Sequence, residues 1–245
     1  MRQLKERQDL PANIVTRLNK LSVSLMATAK PSEVCEQRFN TARDTKWFKA
    51  VREGLVHMAG DTRTCMFCDH NEPTDVEHFK PKSEFPEDTF SWENMLWVCA
   101  TCNRLKGSKF PPHNCAGEQI IDPVVENVWD YFILDEFGNL IKRWNPAQSA
   151  FNGRAQATCD YAHVDREEAQ TRRLKRMKGL RRVVTQAVDD IVSGKASLKC
   201  INECVAEWVA EPFQADIADY CLRGPGKDMP PFSDLLALGV TVPPP

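Results

Sequence analysis

Two C-x2-C pairs, Cys65/Cys68 and Cys99/Cys102, stand 30 residues apart in the stretch CMFCDHNEPTDVEHFKPKSEFPEDTFSWENMLWVCATCNRLKGSKFPP. Four thiols at such spacing can close one tetrahedral zinc site, which ties both ends of the intervening loop together. A site made of four thiolates leaves the ion no open position, so this zinc reads as structural and not as a hydrolytic metal. The loop is longer than a simple zinc ribbon needs. It carries Glu77-His78 and Asn94, and Asn103 follows the last cysteine directly. These are more polar groups than a structural knot uses.

The stretch has a definite local order. Asp75–Phe79 reads as a short strand, 80–91 as a loop broken by Pro81 and Pro86, and Asn94–Val98 as the returning strand. Cys99 then opens a helix that ends near Gly107. Neighbouring residues on a regular strand point to opposite faces, so Glu77 and His78 reach one site only if the chain bends around Phe79–Pro81.

Upstream, Pro11 can start a helix, and Ile14, Leu18, Leu21 and Leu25 repeat as one apolar face. This is either an amphipathic helix docked on the body or a basic arm for DNA or a partner. Arg2, Lys5, Arg7, Arg17 and Lys20 outnumber Glu6 and Asp9 there. A second helix starts at Pro31-Ser32-Glu33. A third runs from about Asp44, with Trp47, Val51, Leu55 and Met58 on one face and Gly60 as its stop.

Downstream, Trp129–Leu134 and Leu140-Ile141 read as a hairpin turned at Asp135–Asn139. Asp122 reads as a turn cap or as a group approaching the metal site. After Pro146 the pattern becomes helical. Asp165 is placed to cap a helix through Val192, with a seam of Leu174, Met177, Leu180, Val184, Ala187 and Ile191. Eight Lys/Arg lie between Arg166 and Arg182. They fit a solvated bundle face, a DNA contact or a protein contact. Helices at about Ala196–Ala210 and Phe213–Leu222 follow. The proline-rich tail from Gly224 is expected to be extended, with 231–236 able to dock back.

The expected fold class is α+β, mostly helical. It divides into an N-terminal helical segment (1–60), a zinc-stapled ββα module with the following hairpin (61–145), and a C-terminal helical domain with its tail (146–245). No run of about 18 apolar residues is present, and the N-terminus lacks the apolar core of a signal peptide, so a cytoplasmic protein with no membrane contact is expected. The other six cysteines then read as reduced, mostly buried thiols.

Cys-x2-Cys, Asp-Val-Glu-His, Asn94 and Cys-x2-Cys-Asn-Arg-x-Lys-Gly together resemble the HNH endonucleases. The resemblance implies a ββα-metal core in which Glu77 and Asn103 hold a catalytic divalent ion, Mg2+ or Mn2+. His78 would be the general base, and Asn94 would tie the loop in place. Glu stands where Asp is common and Asn where the family name has His, and both keep oxygen donors suited to a hard cation. The implied reaction is phosphodiester hydrolysis of DNA, leaving 5′-phosphate and 3′-hydroxyl ends.

Lys80, Lys82, Arg104 and Lys106 are the nearby candidates for nucleic-acid contact. Residues 61–110 nonetheless carry six Lys/Arg against nine Asp/Glu. The module therefore needs help to grip DNA by charge. The wider layout (Asp-Val-Glu-His-Phe-Lys-Pro-Lys and Trp-Glu-Asn-Met-Leu-Trp-Val-Cys among its parts) resembles the HNH proteins of retron- and Septu-type antiphage systems, the PtuB group. That likeness implies phage DNA as target and an ABC-type ATPase as partner. The competing readings are a non-catalytic zinc-stapled adaptor and an RNA-cleaving HNH toxin.

Overall fold

Strand β1 (Asp75–His78) runs antiparallel to β2 (Met95–Val98), with Asp75 opposite Val98 and His78 opposite Met95. The computed structural model describes residues 7–59, 64–69, 73–111, 119–210 and 215–243. The first cysteine knuckle sits against the end of this ladder, where the Met66 amide donates to Trp97 O at 3.0 Å. Helix α4 (Ala100–Lys106) follows β2 directly. Cys99 is its N-cap, its Sγ accepting from the Cys102 amide, and Gly107 ends it at φ +51°. The expected strand–loop–strand–helix order is therefore present. Asn94 itself lies in a 3-10 turn (Trp92–Asn94) just before β2, and the loop contains another at Pro86–Asp88.

Among the described residues, the α-helices α1 (Ala12–Met26), α2 (Pro31–Arg43) and α3 (Lys49–Met58) precede the hairpin. Ile14, Leu18 and Leu25 bury one face of α1, as their spacing predicts. Arg7 is built into the body, its Nη1 donating to Trp92 O and Met95 O at 2.8 and 2.9 Å. The proposed stop at Gly60 and the basic residues Arg2 and Lys5 fall outside the described residues.

The second hairpin pairs β3 (Phe132–Leu134) with β4 (Leu140–Lys142). It begins later than expected, because Val128–Asp130 closes a 3-10 turn first. Its turn residue Gly138, at φ +79°, lies so close to the long C-terminal helix that a Cβ would stand 2.7 Å from the Leu174 amide nitrogen. Only glycine fits there. Asp122 is a turn cap, its Oδ1 accepting from the Val124 amide at 2.8 Å.

From Trp144 onward the sequence reading missed two elements. One is a ladder of β5 (Trp144–Asn145) and β6 (Ala150–Phe151). The other is α5 (Gly153–Ala162), capped by the Asn152 side chain. The long helix is α6 (Glu167–Val192), with Arg166 and not Asp165 in the cap position. Met177, Leu180, Val184 and Ala187 are buried as the seam predicts. Arg173, one of the eight basic residues assigned to the outer faces, is fully buried and donates to Gly138 O and Val164 O. Helices α7 (Leu198–Ala210) and α8 (Ala215–Leu222) follow.

The tail is not extended: it forms a 3-10 turn at Pro225–Asp228 and a short helix α9 (Phe232–Ala237), and Phe232 and Leu235 are buried. Two apolar side chains spaced three apart outweigh the proline content. The described residues are mostly helical with three two-stranded sheets, and among them no helix is long and apolar enough to cross a membrane.

Candidate active site

Cys65, Cys68, Cys99 and Cys102 are all buried, and their sulfurs lie within 4.8 Å of one another. Soft donors in that number and proximity form a set that could bind a metal ion such as zinc. Hydrogen bonding from the Cys102 and Cys65 thiols pulls the Cys68 thiol down to about 5. Burial, followed by its sulfur neighbours, pushes Cys65 well up. The cluster thus favours keeping thiolate character on some of its members. Arg166, at the start of α6, donates from Nη1 to Cys102 Sγ at 3.7 Å. The sequence reading counted this arginine among the outward charges of the basic helix. It is instead a counter-charge for the sulfurs, and nothing in its spacing signals that.

Glu77, His78 and Asn103 line one cavity of about 270 Å³, together with Lys82 and residues of α2. Their convergence follows from where β1 ends. The strand stops at His78 and the chain bends at once, so the alternation of faces no longer separates the two side chains. Asn103, one residue past Cys102 in the first turn of α4, is held by the same knuckle. Its Nδ2 lies 3.4 Å from Asp75 Oδ2, while Oδ1 carries no hydrogen bond among the described residues.

His78 is 1% exposed. Its Nε2–H donates to Thr89 O at 2.8 Å, and its Nδ1 lies 3.4 Å from Lys82 Nζ. The first contact leaves the lone pair on Nδ1. Burial, with the Lys82 charge second, holds the imidazole well below its ordinary range, so it is neutral. Phe39 of α2 meets the ring edge-on at 4.4 Å between centroids. Thr89, Phe39 and Asp75 escaped the sequence reading. A backbone acceptor and an apolar contact from a distant helix leave no local motif.

Glu77 is 7% exposed, and its Oε1 accepts from Lys106 Nζ at 2.8 Å. Lys106 also donates to His78 O at 2.7 Å. Burial raises the Glu77 carboxyl above its ordinary value, and the Lys106 charge opposes that rise. Lys106, named above as a candidate for nucleic-acid contact, has its side chain wholly buried in this ion pair. Lys80 pairs with Asp88 and Lys82 with Glu36, while Arg104 is exposed.

Asn94 closes the loop. Its Oδ1 accepts from the Lys80 amide at 2.7 Å, and its Nδ2 donates to Lys80 O and Asp88 O at 3.0 and 3.1 Å.

Over 135 residues the chain is 27% identical to the Septu protein PtuB of Bacillus thuringiensis, an alignment covering 53% of this chain and 47% of that protein. The chain therefore spans about half the length of the curated relative it matches. Residues 64–109 match the family model described as HNH endonuclease. That segment contains the four cysteines, Glu77, His78, Asn94 and Asn103, so the strand pair and helix that line the cavity lie within the stretch that is similar to HNH endonucleases.

Proposed function

We propose that this chain is a metal-dependent endonuclease that hydrolyses phosphodiester bonds of DNA. The observation that carries this is the convergence of Glu77, His78 and Asn103 on one cavity inside the matched HNH segment. His78, with Nε2–H engaged by Thr89 O, would take a proton from an attacking water at Nδ1, in place of the contact that Lys82 Nζ makes there at 3.4 Å. The water oxygen forms the new bond to phosphorus, and the bond to the 3′-oxygen breaks. The ends are a 5′-phosphate and a 3′-hydroxyl. Lys82, beside Nδ1, is placed to meet a phosphate oxygen.

Two metal roles accompany this reading. Zinc at the four cysteines is structural, because every donor is protein sulfur. Glu77 and Asn103 would hold a Mg2+ or Mn2+ ion through Oε2 and Oδ1, oxygen donors that suit a hard cation. When bound, such an ion supplies charge neutralisation at the phosphoryl and leaving oxygens. The Lys106 ammonium on Oε1 competes for the same carboxylate.

The domains act in the order read from the sequence: residues 61–145 carry the chemistry, and 1–60 and 146–245 hold it and contact partners. The likeness to a Septu protein supports a role in antiphage defence. Phage DNA as substrate and an ABC-type ATPase as partner complete the proposal.

The test is Mg2+-dependent cleavage of plasmid DNA and tRNA by wild type and by His78→Ala, with zinc content measured on both. Loss of cleavage at unchanged zinc supports the reading, and equal cleavage by the variant overturns the mechanism. Preference for tRNA would move the assignment to an RNA-cleaving toxin. Two observations favour a zinc-stapled adaptor instead: Phe39 packs against the His78 ring, and Glu77 is already neutralised by Lys106. An adaptor would bind zinc but show no second divalent site.

A further inference from the structure

The N-terminal helices frame an open groove of about 700 Å³, lined by Arg17, Lys20, Arg38 and Trp47 over an apolar floor that includes Leu21 and Val34. Among the described residues that line it, none is a carboxylate. The two arginines are positioned by other groups. The Arg17 guanidinium lies over the Trp47 ring, 5.8 Å from its centroid, and Arg38 donates to Ser24 Oγ at 2.8 Å. An arginine held by an aromatic face keeps its full charge and its donors for an anion.

The groove shares a wall with the reaction cavity. Helix α2 presents Val34, Gln37, Arg38 and Thr41 to the groove and Cys35, Glu36, Phe39 and Asn40 to the cavity that holds Glu77 and His78. An α-helix is about 10 Å across, so a strand lying in the groove is within a few nucleotides of His78. The HNH segment itself is net acidic and cannot supply this grip. Cations with uncommitted donors above an apolar and aromatic floor are what a single nucleic-acid strand requires: charge for the phosphates, flat surface for the bases.

We infer that the α1–α2 groove binds a single-stranded segment of nucleic acid and leads it past α2 to the cavity, an inference that rests on the nuclease reading for its link to cleavage. Phosphates meet Arg17, Lys20 and Arg38, and bases lie against Trp47, Leu21 and Val34.

Fluorescence anisotropy with a short labelled oligothymidylate, on the full chain without added divalent ion, tests it. The triple variant Arg17→Glu, Lys20→Glu, Arg38→Glu should weaken binding by about tenfold or more at low salt. Its log-log salt slope should shrink by about 0.7 for each phosphate that is no longer neutralised. The pair Arg17→Lys, Arg38→Lys should keep most of the affinity, and Lys175→Glu with Lys178→Glu on α6 should leave it unchanged. Wild-type binding by the triple variant would overturn the inference. So would equal loss in the lysine pair, or capture of polyglutamate at the groove with no effect of these variants on the oligonucleotide.

Cleavage separates the two readings. If His78→Ala and wild type cut the strand alike in Mg2+ while binding depends on the groove, the groove stands and the nuclease mechanism falls. If His78→Ala abolishes cutting and the triple variant cuts and binds normally, the reverse holds.

Discussion

His78 and Thr89 are joined by a buried hydrogen bond, Nε2–H to carbonyl at 2.8 Å. The bond fixes the ring's tautomer before any substrate arrives. Nitrogen-15 NMR of labelled histidine should therefore show the Nε2–H form at neutral pH, with Nδ1 unprotonated. Replacing His78 by Ala leaves Thr89 O without this partner, at a cost of about 1–3 kcal/mol in unfolding free energy. Urea unfolding beside the cleavage assay separates that loss from the loss of chemistry.

Asn94 joins the two ends of the loop through its bonds to Lys80 and to Asp88 O. Asn94→Ala should cost about 1–3 kcal/mol, since buried backbone groups lose their partner. Cleavage should fall with it, because Lys80 and Thr89 both belong to the segment that orients His78. Zinc content should stay at the wild-type value, since the Asn94 side chain bonds to Lys80 and Asp88 and not to the cysteine cluster. Metal analysis and urea unfolding on one preparation check both statements.

Arg166 supports the cysteine cluster from α6 through Cys102 Sγ. A metal bound by four thiolates carries excess negative charge, which a neighbouring guanidinium offsets. Arg166→Gln should weaken zinc affinity by about tenfold or more, in the range seen when outer partners of metal ligands are removed. Competition with a chromogenic chelator measures it. Cys68→Ser or Cys99→Ser should lose the metal outright and lower the unfolding midpoint.

Glu126 accepts from Tyr131 Oη at 2.5 Å, from the Asp122 amide at 3.0 Å, and from the Arg154 guanidinium. Burial acts to raise its carboxyl, but the bonds from Arg154, Tyr131 and Asp122 outweigh it, and the folded value is lowered. The folded state therefore binds fewer protons here than the unfolded chain does. The stabilisation is fully present above the unfolded value of about 4.3 and is lost as pH falls through the lowered folded value. Urea midpoints followed from neutral to acid pH should drop in that window, and Glu126→Gln should flatten the drop.

Much of the site was legible because its residues are close in sequence and each has a local reason for its place. The paired cysteines fix both ends, the prolines mark the loop, and Gly107 ends the helix. Relationships across the fold were not legible. Phe39 meets His78 over a sequence separation that no pattern records, and Arg166 looked like one more basic residue on a long helix. Lys106 was read as a surface cation because lysines mostly are, and only the packed site reveals a carboxylate inside. The tail divides: the docking of 231–236 was legible from its apolar residues, while its helical form was not, because proline content argues for extended chain and the burial of Phe232 and Leu235 outweighs it.

The Glu77–Lys106 pair bears on how such a protein is made. A buried acid without a counter-charge would hold back folding until a cation came from solution. Here the counter-charge is encoded in the chain and arrives with it. Folding of this pair is thereby uncoupled from the supply of divalent ions, and an ion of the kind proposed for Glu77 would join a site already folded.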